Sequence, residues 1–328
     1  MGQEYTDLLI HVSRRAMACD FEVCFPAGRY PDGTRWALES LDAVEAVESQ
    51  LSYFQPESGV SRINRLAAAG PVPVEPWLFE LLTLAARLYA ETHGAYDITS
   101  APLWEAWGFA RRAGRIPSDQ QLAEAQACVG GHLLQLDPAN QCVRFGRPGM
   151  RISLGSIGKG YALDVCAERL LSLGLNDFLL HAGQSSVLVR GFRAADDDAQ
   201  RAAWEIGVRD PRHPERRLAT VRLHDRAVGT SSAQFQSFRH AGRRYGHILD
   251  PRTGQPADNL LSATVVAPTA AMADALSTAF YVLGPDAALD YCRNHEEIGL
   301  LMLCPGQPHG ALEIRTAGIP PGDLTRLA

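Results

Sequence analysis

No stretch of this chain is long and apolar enough to cross a bilayer as a helix. The opening, MGQEYTDLLI, lacks the basic segment followed by an apolar one that marks an export signal. That reads as a cytoplasmic chain, or as a periplasmic one if a leader has been removed. Basic residues are not in excess: 31 Lys and Arg against 37 Asp and Glu give a net charge of −6, which argues against nucleic acid as the main partner. The seven cysteines (19, 24, 128, 142, 166, 292 and 304) include no CxxC pair and no metal-type spacing. Their odd number and mostly apolar neighbours read as buried reduced thiols, as in a reducing compartment. Internal repeats and low-complexity segments are absent, and strands and helices do not alternate in a strict βα rhythm. The last point disfavours a doubly wound parallel sheet and favours an α+β fold with mixed, largely antiparallel sheets and packed helices.

What is there is an ordinary globular composition, 46% hydrophobic and 21% charged over 328 residues, enough for one large domain spanning 1–328. After a strand-like start, Leu38, Leu41, Val44, Val47 and Leu51 recur at helical spacing and predict a helix over Trp36–Leu51. Pro76 suits the first position of a second helix, with Trp77, Leu81, Leu84 and Leu88 on its apolar face. Ser118 and Gln121 form a capping-box pattern before a third. The run His132–Leu136, the turn Asp137-Pro138-Ala139-Asn140 and Cys142–Phe145 read as a hairpin. Phe178–Val189 reads as a strand broken at Gly183, and Ala194–Arg201 as a solvated loop. Strands are predicted at Trp204–Val208, Leu218–Leu223 and Ser262–Ala267, with helices from Ala270 to Leu283 and from Pro285.

The segment Leu154-Gly155-Ser156-Ile157-Gly158-Lys159-Gly160-Tyr161-Ala162-Leu163-Asp164 lies between a strand-like and a helix-like run, and its helix should end near Gly174. Glycines let backbone amides approach an anion, the helix start favours negative charge, and the lysine adds a full positive one. It is not a Walker A loop, which needs a longer spacer and a Gly-Lys-Ser/Thr end; a plain glycine-rich turn is the alternative reading. In Ala273-Asp274-Ala275-Leu276-Ser277-Thr278, Asp274 and Thr278 fall one helical turn apart, offering two hard oxygen ligands of the kind Mg2+ prefers. The same pair also reads as a helix-start aspartate and a back-bonded threonine. His247 precedes the turn Asp250-Pro251-Arg252-Thr253-Gly254 and reads either as a general base or as a structural histidine. Gly94–Leu103 and Trp104–Phe109 bring aromatics beside Asp97, suited to a heterocycle or to a core. Leu51–Ser58 and Ser61–Asn64 read as a helix end and a polar loop.

Together these segments, with the Met17–Val23 strand and Thr230-Ser231-Ser232, resemble the ApbE family of FAD:protein FMN transferases from about Met17 to about Gly284, seven blocks in the family order. The resemblance implies an α+β, T-fold-like architecture of two closely associated lobes with FAD in the cleft. It implies cleavage of the FAD pyrophosphate, transfer of FMN to a threonine or serine of a target protein, and release of AMP. Met17 and Phe54 would line the flavin pocket, Ala95, Tyr96 and Asp97 would contact FAD, Lys159 would approach the phosphates, and Ile248 would lie beside the flavin. Asp274, Thr278 and the carbonyl of Ser156 would bind Mg2+, and His247 would be the catalytic base. The family commonly has Asp at the position of Ser153, and Gly-Asp at Gln184-Ser185, so two carboxylates are missing here. A Mg2+-dependent FAD pyrophosphatase and a non-catalytic FAD-binding protein are the alternatives.

Overall fold

Strand pairing starts at once. In the computed structural model, which describes residues 8–111, 113–193, 203–234, 236–306 and 311–327, β1 (Leu9–Ala16) and β2 (Cys19–Pro26) form an antiparallel hairpin. Ala16 opposes Cys19, so Met17 and Ala18 make a two-residue turn, and both have positive φ (48° and 61°). Such turns match the right-handed twist of the strands.

Then come α1 (Gly33–Leu51), α2 (Gly59–Leu66), β3 (Val72–Pro73), α3 (Pro76–Glu91), α4 (Ala101–Ala106) and α5 (Asp119–Gln126). They are followed by β4 (Leu134–Asp137), β5 (Cys142–Phe145), α6 (Gly158–Leu173), β6 (Phe178–Ala182) and β7 (Ser186–Arg190). Five more strands are β8 (Trp204–Asp210), β9 (His213–Leu223), β10 (Ala227–Ser231), β11 (Ser237–His240) and β12 (Arg243–Gly246). The chain ends with β13 (Ser262–Ala267), α7 (Ala270–Leu283), α8 (Pro285–Asn294), β14 (Gly299–Pro305), β15 (Leu312–Ala317) and β16 (Leu324–Arg326).

Eight strands form one sheet in the order β1-β2-β6-β7-β10-β13-β14-β15, with antiparallel neighbours throughout. Smaller sheets are β16-β9-β8, β3-β5-β4 and β11-β12. This is the expected α+β class. Alternate residues of the central strands serve two cores: Ala227, Val265 and Leu300 join the main core shared with α1, α6 and α7, while Val228, Val266 and Leu301 meet Trp204, Val208 and Leu218 on the other face. A sheet covered on both faces reads as continuous apolar sequence, as in Leu300-Leu301-Met302-Leu303.

Most predicted elements form. Both halves of the Ser118–Gln121 capping box are present, α6 ends at Gly174 with φ 95°, and α7 spans Ala270–Leu283 as predicted. The differences have local causes. Phe178–Val189 is a hairpin, β6 and β7, turning at Gly183. The first helix begins at Gly33, and Leu38 faces solvent, with Ala37 buried in its place beside the expected Leu41, Val44, Val47 and Leu51. On α3 the buried face centres on Leu78, Leu81, Leu82, Ala85 and Leu88, with Trp77 and Leu84 at its margin. Where a polar loop was expected, Ser58 caps α2, its Oγ accepting from Ser61 N at 3.0 Å; only Val60 and Ile63 are buried there, too few for a periodic signal. The predicted loop 194–201 lies outside the described residues. All seven cysteines are free, but Cys19, Cys128 and Cys142 are only partly buried, against the expectation of buried thiols.

Two glycines let α7 approach its neighbours closely. A Cβ on Gly160 would stand 2.1 Å from the Ala270 carbonyl oxygen, and one on Gly229 would stand 2.4 Å from that of Ala273. The first turns of α7 are thus pressed between α6 and β10.

Candidate functional site

The glycine loop is held from below. Ser153 N donates to Ile98 O at 2.8 Å, and Ser100 bridges Arg151, so the segment 95–100 runs under the loop that leads into α6. Leu154 O accepts from Gly158 N at 2.7 Å, which turns the chain into the helix. From α6, Asp164 reaches α7: Oδ1 accepts from Ala270 N and Oδ2 from Ala271 N, both at 2.8 Å. These are orphan donors of a helix start, supplied here by a side chain more than a hundred residues away. In return, Asp274 Oδ2 accepts from Gly160 N at 2.8 Å and Oδ1 from Ser186 Oγ at 2.7 Å. Asp274 is only 7% exposed; burial pushes its carboxyl up to about 6, with Lys159, Ser186 and Gly160 opposing.

Lys159 is the only lysine in the chain. Its Nζ donates to Ser185 Oγ; Ser185 Oγ lies 3.4 Å from Ser186 Oγ, which in turn donates to Asp274. A chain of hydroxyls therefore joins the lone lysine to the buried carboxylate. Lys159 thus makes a charge-to-dipole contact with the Ser185 hydroxyl.

Lys159 also lines a cleft of about 790 Å³. One wall is the β1–β2 turn, the end of α1 and the glycine loop, with Met17, Cys19, Leu51, Tyr53 and Phe54; the other carries Phe109, Phe238 and His247. Met17 N donates to Glu48 Oε2 at 2.9 Å, fixing the turn on α1. Tyr53 donates to Glu105, which also pairs with Arg151, so that wall is tied to α4. Phe54 stands 65% exposed at the cleft, edge-on to Tyr53 and tilted against Trp104. An exposed aromatic in an aromatic-walled cleft is a stacking surface for a planar ring.

His247 follows β12. Its Nδ1 and its backbone N each lie 3.0 Å from Gln236 O. A carbonyl only accepts, so Nδ1 carries the proton and Nε2 keeps its lone pair. Burial, with Lys159 adding to it, holds this imidazole below the usual histidine range against the pull of the Gln236 carbonyl. The ring is therefore neutral near pH 7. Behind it, Trp107 donates to Gly254 O at 2.8 Å and packs with Phe238 and Tyr245, anchoring the Asp250–Gly254 turn. Arg252 is engaged by Asp250 within that turn.

Of the residues singled out in the sequence, Met17, Phe54, Lys159 and His247 meet on the cleft wall. Ser156 is in the glycine loop itself, and Asp274, with Thr278 one helical turn further along α7, is tied to that loop through Gly160 N. Ala95, Tyr96, Asp97 and Ile248 are buried, and their side chains do not line the cleft. Tyr96 accepts from Ser156 Oγ at 3.3 Å. Both Asp97 oxygens are in use, Oδ1 by Thr99 and Oδ2 by Gly131 N, so its role here is to brace the floor. Ser186, Gln236, Glu48 and Asp164 were not assigned roles from the sequence. They act through partners distant in sequence; the uniqueness of Lys159 is the one signal that sequence alone could have offered.

The oxygens around Asp274 fit a hard divalent cation. In a regular helix the Gly160 amide would bond to the Ser156 carbonyl, but it is turned to Asp274, and among the described residues that carbonyl receives no backbone donor. Thr278 Oγ1 lies 3.1 Å from Ser231 Oγ, itself 2.8 Å from Ser277 Oγ. One carboxylate, a free carbonyl and neutral hydroxyls suit an ion that keeps several waters.

A family model described as the ApbE family matches residues 17–302. The FAD:protein FMN transferase of Salmonella typhimurium is 32% identical over 292 residues, which cover 83% of this chain and 81% of that protein. That of Escherichia coli is 31% identical over 256 residues, 76% of this chain and 71% of that protein. Among solved structures, the ApbE protein from Thermotoga maritima superimposes with a TM-score of 0.83 at 30% identity, covering 93% of this chain and 96% of its own. The Pseudomonas stutzeri flavinyl transferase ApbE gives 0.82 at 28% identity, with 96% of each chain covered.

Proposed function

This chain belongs to the ApbE family, and from that premise we propose that it is a Mg2+-dependent FAD:protein FMN transferase, moving FMN from FAD to a threonine or serine hydroxyl of a target protein and releasing AMP. The observation that carries the reading is the pairing, on one cleft, of a neutral His247 whose Nδ1 is locked and the chain's only lysine. A hydroxyl is a weak nucleophile until a base is near. His247 Nε2 is the lone pair that takes the acceptor proton as the new phosphorus–oxygen bond forms and the bond to the AMP phosphate breaks. Lys159 and the backbone amides at the start of α6 offset the pyrophosphate charge. Met17 and Phe54 hold the flavin ring, with Ile248 supporting from behind. Ala95, Tyr96 and Asp97 support the loop from its floor. Asp274, Thr278 and the Ser156 carbonyl would hold Mg2+, which supplies charge neutralisation for the displacement.

AMP released from FAD is the test, with and without Mg2+ and with and without an acceptor domain. Release that needs both supports the transferase. Release with Mg2+ alone, equal with and without acceptor, supports the pyrophosphatase, and FAD bound without AMP supports a flavin-binding protein.

A further inference from the structure

We propose that His11, Glu22 and Cys24, with His181 bracing Glu22, form a zinc site on the face of the large sheet opposite α1, α6 and α7, independent of the transferase reading. Strand register assembles it. His11 and Cys24 are direct partners across β1 and β2, and Glu22 and His181 are direct partners across β2 and β6. Glu22 and Cys24 are two apart on one strand and so share a face. Their neighbours Val12, Phe21, Val23, Leu180 and Ala182 point the other way into the main core.

The donor atoms converge. His11 Nδ1, Glu22 Oε1 and Cys24 Sγ all lie within 4.8 Å of one another. Glu22 Oε1 is 3.0 Å from His11 Nδ1, 3.2 Å from Cys24 Sγ and 3.1 Å from His181 Nε2, and Cys24 Sγ is 3.3 Å from His11 Nδ1. Bond lengths of about 2.0–2.1 Å to nitrogen or oxygen and about 2.3 Å to sulfur put the edges of a tetrahedral zinc site near 3.3–3.6 Å. The separations among His11, Glu22 and Cys24 need to widen by only a few tenths of an ångström, the fourth position going to water.

Hydrogen bonding alone accommodates this cluster poorly. Three donors aim at Glu22 Oε1, and a carboxylate oxygen offers two lone pairs. A single cation among His11, Glu22 and Cys24 replaces competing protons with three protein ligands. His181 Nε2 donates to Glu22 Oε1 at 3.1 Å and orients that carboxylate. An imidazole, a thiolate and a carboxylate select zinc over Mg2+ or Ca2+. On binding, the Cys24 thiol gives its proton to solvent, because a coordinating thiol is deprotonated outright. The ion would clasp β1 and β2, the strands that lead to the Met17 turn, with β6 attached through His181.

Cobalt substitution of the full-length protein tests this. After EDTA treatment and exchange into metal-free buffer, Co2+ is titrated in and followed by absorbance, then displaced by Zn2+. The expected result is a thiolate-to-cobalt charge-transfer band saturating at one ion per chain, displaced by Zn2+ and not by excess Mg2+. Cys24→Ser abolishes the band, and His11→Gln, at an exposed position, weakens Co2+ binding about tenfold or more. No thiolate band in the parent protein, or a band that survives Cys24→Ser, overturns the proposal. If Cys24→Ser fails to fold, His11→Gln decides: unchanged affinity overturns the site.

Discussion

The backbone amide of Gly160 donates to the carboxylate of Asp274 at 2.8 Å, joining two helix starts 114 positions apart in the chain. That one bond frees the Ser156 carbonyl and holds the buried Asp274 carboxylate in place. Asp274→Asn keeps the shape and removes the charge. We expect the variant to fold and bind FAD, while Mg2+-dependent AMP release falls about 10²-fold or more, the several kcal/mol a metal contributes to a charged transition state. Steady-state AMP assays across a Mg2+ titration check this; a parent-like Mg2+ dependence would remove Asp274 from metal binding.

His247→Ala should bind FAD normally and transfer about 10²–10⁴-fold more slowly, the usual cost of losing a positioned base. Because burial lowers the pKa of this imidazole from 6.5, it stays unprotonated at neutral pH. The acid limb of kcat/KM in the parent protein should therefore lie below pH 6.5 and be absent from the residual activity of the variant. An acid limb above that pH, or equal rates for the two proteins, contradicts the assignment.

With Lys159 the only lysine, amine acylation has one side-chain target. Acylation mapped to Lys159 should abolish FAD binding, and prebound FAD should protect it. Lys159→Ala should lower kcat/KM about 10- to 100-fold, as expected for one charged contact to phosphate. Peptide mapping by mass spectrometry reads protection directly; labelling indifferent to FAD would place the lysine away from the phosphates.

Asp164 gives a stability prediction. Burial pushes its carboxyl up to about 6 from 3.8, against the pull of the Ala271 and Ala270 amides. The folded state thus holds this proton more tightly than the unfolded state. Its contribution is fully present below about pH 4, declines as pH rises from about 4 to about 6, and is gone above, a span of roughly 3 kcal/mol. Asp164→Asn keeps an acceptor for α7 and loses the titration. Urea unfolding of both proteins from pH 4.5 to 7 should show the parent gaining relative to the variant as pH falls; parallel curves would contradict it.

Sequence legibility followed the range of the interactions. Helix α7 was readable to the residue because Thr269 caps it locally and its apolar run is unbroken. The Asp274–Thr278 spacing was readable for the same reason. Helix α2 was not, because a single cap and two buried residues carry it. The roles of Asp164, Ser186 and Gln236 were hidden, since each acts on a residue brought near only by the fold. The bonds of Asp97 to Thr99 and to the Gly131 amide were likewise hidden, the second spanning 34 positions.

The most direct measurement is the intact mass of an acceptor domain from a known flavinylated protein after incubation with this protein, FAD and Mg2+. The account predicts a mass gain equal to FMN with one AMP released per label, abolished by EDTA and by Asp274→Ala. An acceptor left unlabelled while AMP accumulates, or labelling that persists without a divalent cation, would contradict it.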